Sequence, residues 1–311
     1  MNNHALIDSI PVTLAATVFR KSLMFRDSLE SPAYEELISS INLKWPEIEG
    51  EGYYEVPAHT LVGELDPAFQ IASWKGESFP TIIYHHGNNE RPFNDYCFRN
   101  NTFKRIFKTK NNEMPANLIV VRAPYHCCYK SYRRQMSRLS TFTALLSVSV
   151  MMVQALTEYA RGNSSRVVVS GISLGGWVTN LHRTFFNTAD VYIPLLAGTI
   201  PSDVFINSVY RKLTAGRVHE NPAALKEIID FEDQFSGVEE ENVFPLLARY
   251  DQVIRFEQQE ASYQDNPVAV INKGHFTGAL SANDLRKHIR PHITPERKTV
   301  LVSSQPGYRK N

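Results

Sequence analysis

The chain has 311 residues, 43% hydrophobic and 21% charged, with 33 Lys+Arg against 32 Asp+Glu. A formal net charge of +1 removes any whole-chain electrostatic argument for nucleic acid or an anionic membrane, and the apolar content excludes disordered and low-complexity classes. The length suits either two ordinary domains or one large α/β domain.

The first fifty residues have helical patterning, with Ser31-Pro32 as an N-cap and N1 pair opening a helix over Ala33 to Asn42. The apolar run Ile10 to Phe19 has its basic residues, Arg20 and Lys21, on the far side, the reverse of a secretory signal, so no cleaved export leader is expected. Of the 3 cysteines, Cys127 and Cys128 are adjacent. They form no disulfide framework, and a reducing, cytoplasmic compartment is expected. Gly52 to Leu61 and Phe69 to Trp74 read as a hairpin at a sheet edge.

From Pro80 onward, short apolar runs alternate with stretches long enough for crossover helices, which is how a parallel sheet reads. The predicted strands are Thr81 to His85, Asn117 to Arg122, Arg166 to Ser170, Val191 to Leu196, Val243 to Arg249 and Pro267 to Asn272. The uncharged stretch Leu139 to Leu156 is long enough to span a bilayer, but its Ser, Thr and Gln content fits a buried core helix, and no stable membrane insertion is expected. Thr199 to Asn242 is more chain than a crossover needs. It reads as a small helical insertion in which Ser202-Asp203 caps a helix ending at Gly216 and Asn221-Pro222 starts another toward Glu232. With no repeat and no linker, the expectation is one domain, 1–311. It comprises an N-terminal helical extension over 1–51, a cap over 199–242 and a basic, solvated tail over 290–311.

The chemistry gathers at strand ends. Gly171-Ile172-Ser173-Leu174-Gly175 follows an apolar strand and precedes a helical stretch, Gly176 to Phe186, the context a G-x-S-x-G nucleophile elbow requires. The glycines make room where strand and helix approach closely. A serine hydroxyl needs a base, usually a histidine oriented by a carboxylate. In elbow architectures the chain order is Ser, acid, His, so His275, His288 and His292 are the candidates. His275 is preferred because it follows the last predicted strand and Gly274 at the start of a loop. Asp251, just past the strand before it, is the candidate acid, although an aspartate there also suits a helix cap near Val253. Asp203 is the substitute, better suited to capping. The oxyanion donors are placed at the N–H of Leu174 and in the His85-His86-Gly87-Asn88-Asn89 loop, at Asn88 with Asn89 as the alternative. His85 and His86 have no third ligand at zinc-like spacing, so no metal is expected and a structural histidine is the better reading.

In order along the chain, the His86-Gly87 loop, the GISLG elbow, the Asp251 loop and the Gly274-His275 loop resemble those of α/β-hydrolase fold enzymes over about Gly52 to Ile289. The resemblance implies a mostly parallel central sheet with helices on both faces and a small helical cap at Thr199 to Asn242. It also implies a Ser-Asp-His triad that cleaves a carboxylic ester or related acyl bond of a small-molecule substrate through an acyl-enzyme, without cofactor. The oxyanion loop reads HGNN, not the HGGG-type run of many lipases and esterases, so their substrate range is not carried over. Peptidase, thioesterase and lactonase activities share the triad, and a non-catalytic binding protein keeping the fold is a further alternative. Oligomeric state is not legible.

Other signals are weaker. Ala123 to Cys128 lies just past a strand, and Tyr125 and His126, with His86 and Trp177, are the substrate-binding candidates. His126, Cys127 and Cys128 lack a fourth ligand for a tetrahedral ion. Lys130, Arg133, Arg134 and Arg138 either attract an anionic substrate group or mark a solvated helix start. Glu239 to Glu241 argue against a basic membrane-docking lid, and Phe205, Ile206, Val209 and Tyr210 have core-like helical spacing.

Overall fold

The computed structural model describes residues 3–18, 23–93, 101–108, 113–127 and 129–293. Helix α1 (Asn3–Val18) precedes α2 (Tyr34–Ser40). Ser31 does not cap α2: Ala33 stands at its N-cap with no side-chain bond, and the Ser31 hydroxyl meets Thr143 Oγ1 at 2.5 Å instead. Five short strands follow: β1 (Asn42–Leu43), β2 (Gly52–Glu55), β3 (Ala58–Thr60), β4 (Gly63–Leu65) and β5 (Ala68–Ser73). The expected hairpin is redrawn here. β2 pairs antiparallel with β5 at a sheet edge, while β3 leaves to join β1 and β4 in a separate antiparallel sheet. Pro57 explains the break, since it has no N–H to continue a ladder and serves only as acceptor for Lys44 N at 2.9 Å.

The main sheet continues with β6 (Thr81–His85), β7 (Asn117–Arg122), β8 (Val167–Ile172), β9 (Val191–Leu195), β10 (Leu246–Ala248) and β11 (Ala269–Ile271). Its order is β11-β10-β9-β8-β6-β7-β5-β2, parallel from β11 to β7 and antiparallel at β5 and β2. β6 and β7 have the predicted bounds. β8 runs two residues past its predicted end because Gly171 still pairs with His85, and Ile172 with Leu195. β10 is shorter than predicted: Val243 makes only an isolated bridge to Tyr192, and Pro245 has no N–H to give.

Helices α3 (Thr102–Phe107), α4 (Tyr129–Gln135), α5 (Leu139–Arg161) and α6 (Leu174–Phe185) lie between these strands. α5 is the uncharged helix of the sequence. It is long and apolar enough to cross a membrane, yet 83% of its apolar window is buried inside the protein.

Between β9 and β10 the chain forms a cap of α7 (Pro201–Ile206), a 3-10 turn (Val209–Leu213), α8 (Gly216–Glu220), α9 (Pro222–Ile229) and α10 (Glu232–Ser236). The single helix predicted from Ser202 to Gly216 is thus three pieces. Ile200 is the N-cap of α7, Ser208 Oγ accepts from Tyr210 N and starts the 3-10 turn, and Thr214 is extended. The second predicted start holds: Asn221 caps Ala224 N and Pro222 is at the first helical position, though α9 stops at Ile229. Arg183 of α6, buried, grips the cap's returning limb. It donates to Asn242 Oδ1 at 3.0 Å, Val238 O at 3.2 Å and Phe235 O at 3.4 Å.

The chain ends with α11 (Phe256–Ala261), α12 (His275–Ala279) and α13 (Ala282–Ile293). Residues 294–311 of the predicted basic tail lie outside the described residues. Alternation along the buried strands sorts the core into two layers. Ile83, Ile119, Val121 and Val169 pack with α5 and α6, whereas Ile82, Tyr84, Val120 and Val168 pack with Phe103, Ile106, Leu285 and Ile289 of α3 and α13. Helices therefore cover both faces, and the strand ends at His85, Ile172, Leu195 and Ala248 are left to build a site.

Candidate active site

β8 stops at Ile172 and α6 starts at Leu174, so Ser173 alone makes the turn. It does so at φ 54°, ψ −111°, a conformation costly for any residue with a side chain. The turn is held by Ser173 N donating to Leu195 O at 2.8 Å and Trp177 N donating to Ser173 O at 3.0 Å. Close packing accounts for the flanking glycines. A Cβ on Gly171 would overlap the Gly175 carbonyl, and one on Gly175 would overlap the His85 carbonyl and stand 2.8 Å from His86 O.

The three sequence candidates meet at this turn. His275 Nε2 lies 3.0 Å from Ser173 Oγ, and His275 Nδ1 lies 2.7 Å from Asp251 Oδ2. A carboxylate only accepts, so Nδ1 carries the proton and Nε2 is left to accept from the serine hydroxyl. Asp251 also accepts at Oδ1 from Val253 N at 2.8 Å and Ile254 N at 2.7 Å. Capping and orienting His275 are therefore compatible roles for the one side chain. Burial draws the His275 pKa down, but the nearby Asp251 charge and hydrogen bond, with the charge of Asp8, outweigh it and leave it above the ordinary 6.5.

Leu174 is the first residue of α6, where an N–H has no helical partner and the helix dipole favours negative charge. Asn88, from the loop after β6, lines the same cavity as Ser173 and Leu174. His86 braces that loop: its Nδ1 donates to Gly87 O at 2.6 Å and its Nε2 accepts from Ala123 N at 3.0 Å, tying it to the end of β7. Burial holds His86 neutral, its pKa well below 6.5, and takes the His126 beside it down to about 4. Glu90 was missed by sequence reasoning. It is buried and accepts from Thr102 N at 2.8 Å, Thr102 Oγ1 at 2.8 Å and Gly87 N at 3.3 Å, and burial pushes its pKa up to about 7.

The cavity at Ser173 is small and largely apolar, about 30 Å³, with Met24, Tyr132, Phe142, Trp177, Phe205, Tyr210 and Ile254 in its wall. Trp177 Nε1 and Asn88 Oδ1 are buried there without a hydrogen-bond partner among the described residues. Of the substrate-binding candidates, Trp177 lines this cavity. Tyr125, His126 and His86 do not, and His126 supports it from behind by packing on the Tyr132 ring. Phe205 and Tyr210 of the cap do reach it.

The remaining candidates lie elsewhere. Asp203 is ion-paired with Arg255, His288 Nε2 donates to Phe244 O at 2.9 Å, and His292 stacks on Phe244. Cys127 is exposed, and Cys128 and the Lys130 side chain lie outside the described residues. Arg133, Arg134 and Arg138 line a separate open cavity of about 800 Å³ with Arg26 and Asp27. Among the described residues, no group of three metal-ligating side chains is present.

No family model matches the chain, and no curated protein matches it in sequence. Its fold is shared with solved structures. Acetyl xylan esterase 1 from Thermoanaerobacterium sp. JW/SL YS485 superposes with a TM-score of 0.54 at 14% identity, over 89% of this chain and 99% of that one. Est1E from Butyrivibrio proteoclasticus gives 0.51 at 14% identity, over 82% and 99%. The esterase Pf2001 from Pyrococcus furiosus gives 0.50 at 13% identity, over 79% and 94%. The chain has the α/β-hydrolase fold, with the central sheet, flanking helices and cap that the resemblance implied.

Proposed function

We propose that the protein is a serine hydrolase that cleaves a carboxylic ester carrying a short acyl group on a small molecule. The observation that carries this is the Ser173–His275–Asp251 relay, with contacts of 3.0 and 2.7 Å at the N-terminus of α6. Ser173 Oγ attacks the acyl carbonyl as His275 Nε2 takes its proton. The oxyanion that forms meets the N–H groups of Leu174 and Asn88, each such donor worth about 3 kcal/mol of barrier. His275 then gives the proton to the leaving alkoxide, and water repeats the sequence in reverse on the acyl-enzyme. Asp251 keeps the imidazole in the reacting tautomer throughout. No cofactor takes part in these steps, and the expected cytoplasmic location belongs to the same proposal.

The short acyl group follows from volume. About 30 Å³ is two to three times the roughly 10–15 Å³ that one water needs. That admits an acetyl-sized group against an aromatic wall. Trp177 and Asn88 line this wall, and Trp177 Nε1 and Asn88 Oδ1 are a buried donor and a buried acceptor without partners among the described residues.

The test is fluorophosphonate labelling of the protein and of Ser173→Ala, with hydrolysis of aryl acetates measured alongside. Labelling is expected on Ser173 only, and kcat in the variant is expected to fall by about 10⁴-fold or more. Equal labelling of the two proteins rules the assignment out.

A further inference from the structure

Helix α1 wears its polarity inside out at one point. Asp8 is fully buried, while Ile7 and Ile10 beside it are 44% and 57% exposed. Burying a carboxylate on a helix that leaves isoleucines in water is costly unless the carboxylate is matched by donors. Asp8 is matched by backbone groups of the loop after β10 and of the first turn of α12. Oδ2 accepts from His275 N at 2.7 Å and from Gln252 N at 3.1 Å, and Oδ1 accepts from Phe276 N at 3.0 Å.

Two of those donors are the first two N–H groups of α12, which no helical carbonyl reaches. The residue at the N-cap of α12 is Gly274, which has no side-chain oxygen to offer. Asp8 supplies the missing cap from the other end of the chain, and a Cβ on Gly274 would stand 2.6 Å from Asp8 Oδ2. The third donor, Gln252, is the neighbour of Asp251. One carboxylate therefore bridges the loop holding the candidate acid and the helix holding the candidate base. The rest of α1 fixes its own position: His4 meets Thr277 Oγ1 at 3.1 Å and stacks on Tyr250, Val12 is buried, and Thr13 Oγ1 accepts from Lys212 Nζ at 2.8 Å.

Resting on the hydrolase reading above, we propose that Asp8 is a positioning residue of the triad. It clamps the Asp251 loop to the His275 helix and adds a second buried negative charge that stabilises the imidazolium formed when Ser173 loses its proton. The charged groups acting on His275 are Asp251, from the loop after β10, and Asp8, from α1, and the two act in the same direction.

The experiment compares Asp8→Asn, Asp8→Glu and Val12→Ala in the full-length protein, by pH profile of kcat/KM on an aryl acetate, by separate kcat and KM, and by thermal melting. Asp8→Asn keeps the volume and removes the charge. It is expected to lower kcat about 10- to 100-fold with KM little changed, and to move the acid limb of the profile to lower pH. Asp8→Glu restores the position of that limb while kcat stays low. Val12→Ala loosens the helix and lowers the melting temperature without moving the limb. A wild-type kcat and limb in Asp8→Asn, or an equal limb shift in Val12→Ala, overturns the proposal. If Asp8→Asn does not fold, Asp8→Glu decides it, and a wild-type kcat there overturns it. Loss of fluorophosphonate labelling in Ser173→Ala separates these outcomes from failure of the hydrolase reading, which would take the clamp down with it.

Discussion

The carbonyl oxygen of His85 occupies the space in which a side chain at Gly175 would stand. The strand before the Asn88 loop and the helix after Ser173 therefore touch backbone to backbone, with no room for one methyl group. Gly175→Ala should push β6 from α6 and misplace Asn88 and Leu174 together. The expected result is a stability loss of about 3 kcal/mol or more with aryl-acetate hydrolysis abolished, read by urea denaturation and by rate.

Ser173 holds a positive φ that a glycine adopts freely. Ser173→Gly and Ser173→Ala both remove the hydroxyl, but only the glycine relieves the backbone. Ser173→Gly should therefore be the more stable of the two by about 1 kcal/mol, after the larger chain entropy of glycine in the unfolded state is set against the relief of strain. Equal melting of the two variants would contradict the strained turn.

In the proposed reaction His275 must be neutral to accept the Ser173 proton. Because His275 in the folded protein holds its proton above the ordinary 6.5, kcat/KM on an aryl acetate should fall as pH drops through a midpoint higher than 6.5. A midpoint at or below that value argues against the carboxylate pair acting on His275.

Burial raises Glu90 to about 7 from an ordinary 4.5. The folded protein then binds this proton more tightly than the unfolded chain. The contribution of Glu90 to stability is full below about pH 4.5 and is lost as pH rises to about 7, at up to about 1.4 kcal/mol per pH unit. In denaturation at several pH values, Glu90→Gln should gain on the wild type across that window, and parallel curves would contradict the assignment.

Phe205 packs between Phe25, Phe142 and Trp177 in the wall of the cavity. Phe205→Leu removes part of that wall. The rate on butyryl and hexanoyl esters relative to the acetyl ester should rise, at a cost in stability of about 1–3 kcal/mol. An unchanged chain-length preference would mean that the acyl group sits elsewhere.

The parts legible in the sequence were those written locally. Thr81 to His85 and Asn117 to Arg122 are strands buried on both faces, so their apolar runs are continuous and their ends sharp. Ser173, Asp251 and His275 each stand at a strand end, which is a local fact. What was not legible depended on partners far along the chain. Asp8 gives no local sign, because its three donors are 244, 267 and 268 residues away. Glu90 looks like any loop glutamate until Thr102 and Gly87 close around it. The broken helix over Ser202 to Gly216 was misread because Phe205, Val209 and Tyr210 keep a helical spacing while Ser208 diverts the backbone to its own side chain. Pro57 could have flagged the split of the predicted hairpin, since a proline inside a strand pattern argues against one continuous strand.

Arg183 ties the far end of the cap to the same helix whose first turn faces Ser173. Moving that end would strip a buried guanidinium of its carbonyl partners, so the returning limb is fixed to the body of the fold. On the other side of the cap, Lys212 of the 3-10 turn that carries Tyr210 donates to Thr13 Oγ1 of α1 at 2.8 Å. The helix that carries Asp8 to His275 thus also holds the stretch of cap that brings Tyr210 to the cavity wall, so one N-terminal element braces the site from two sides.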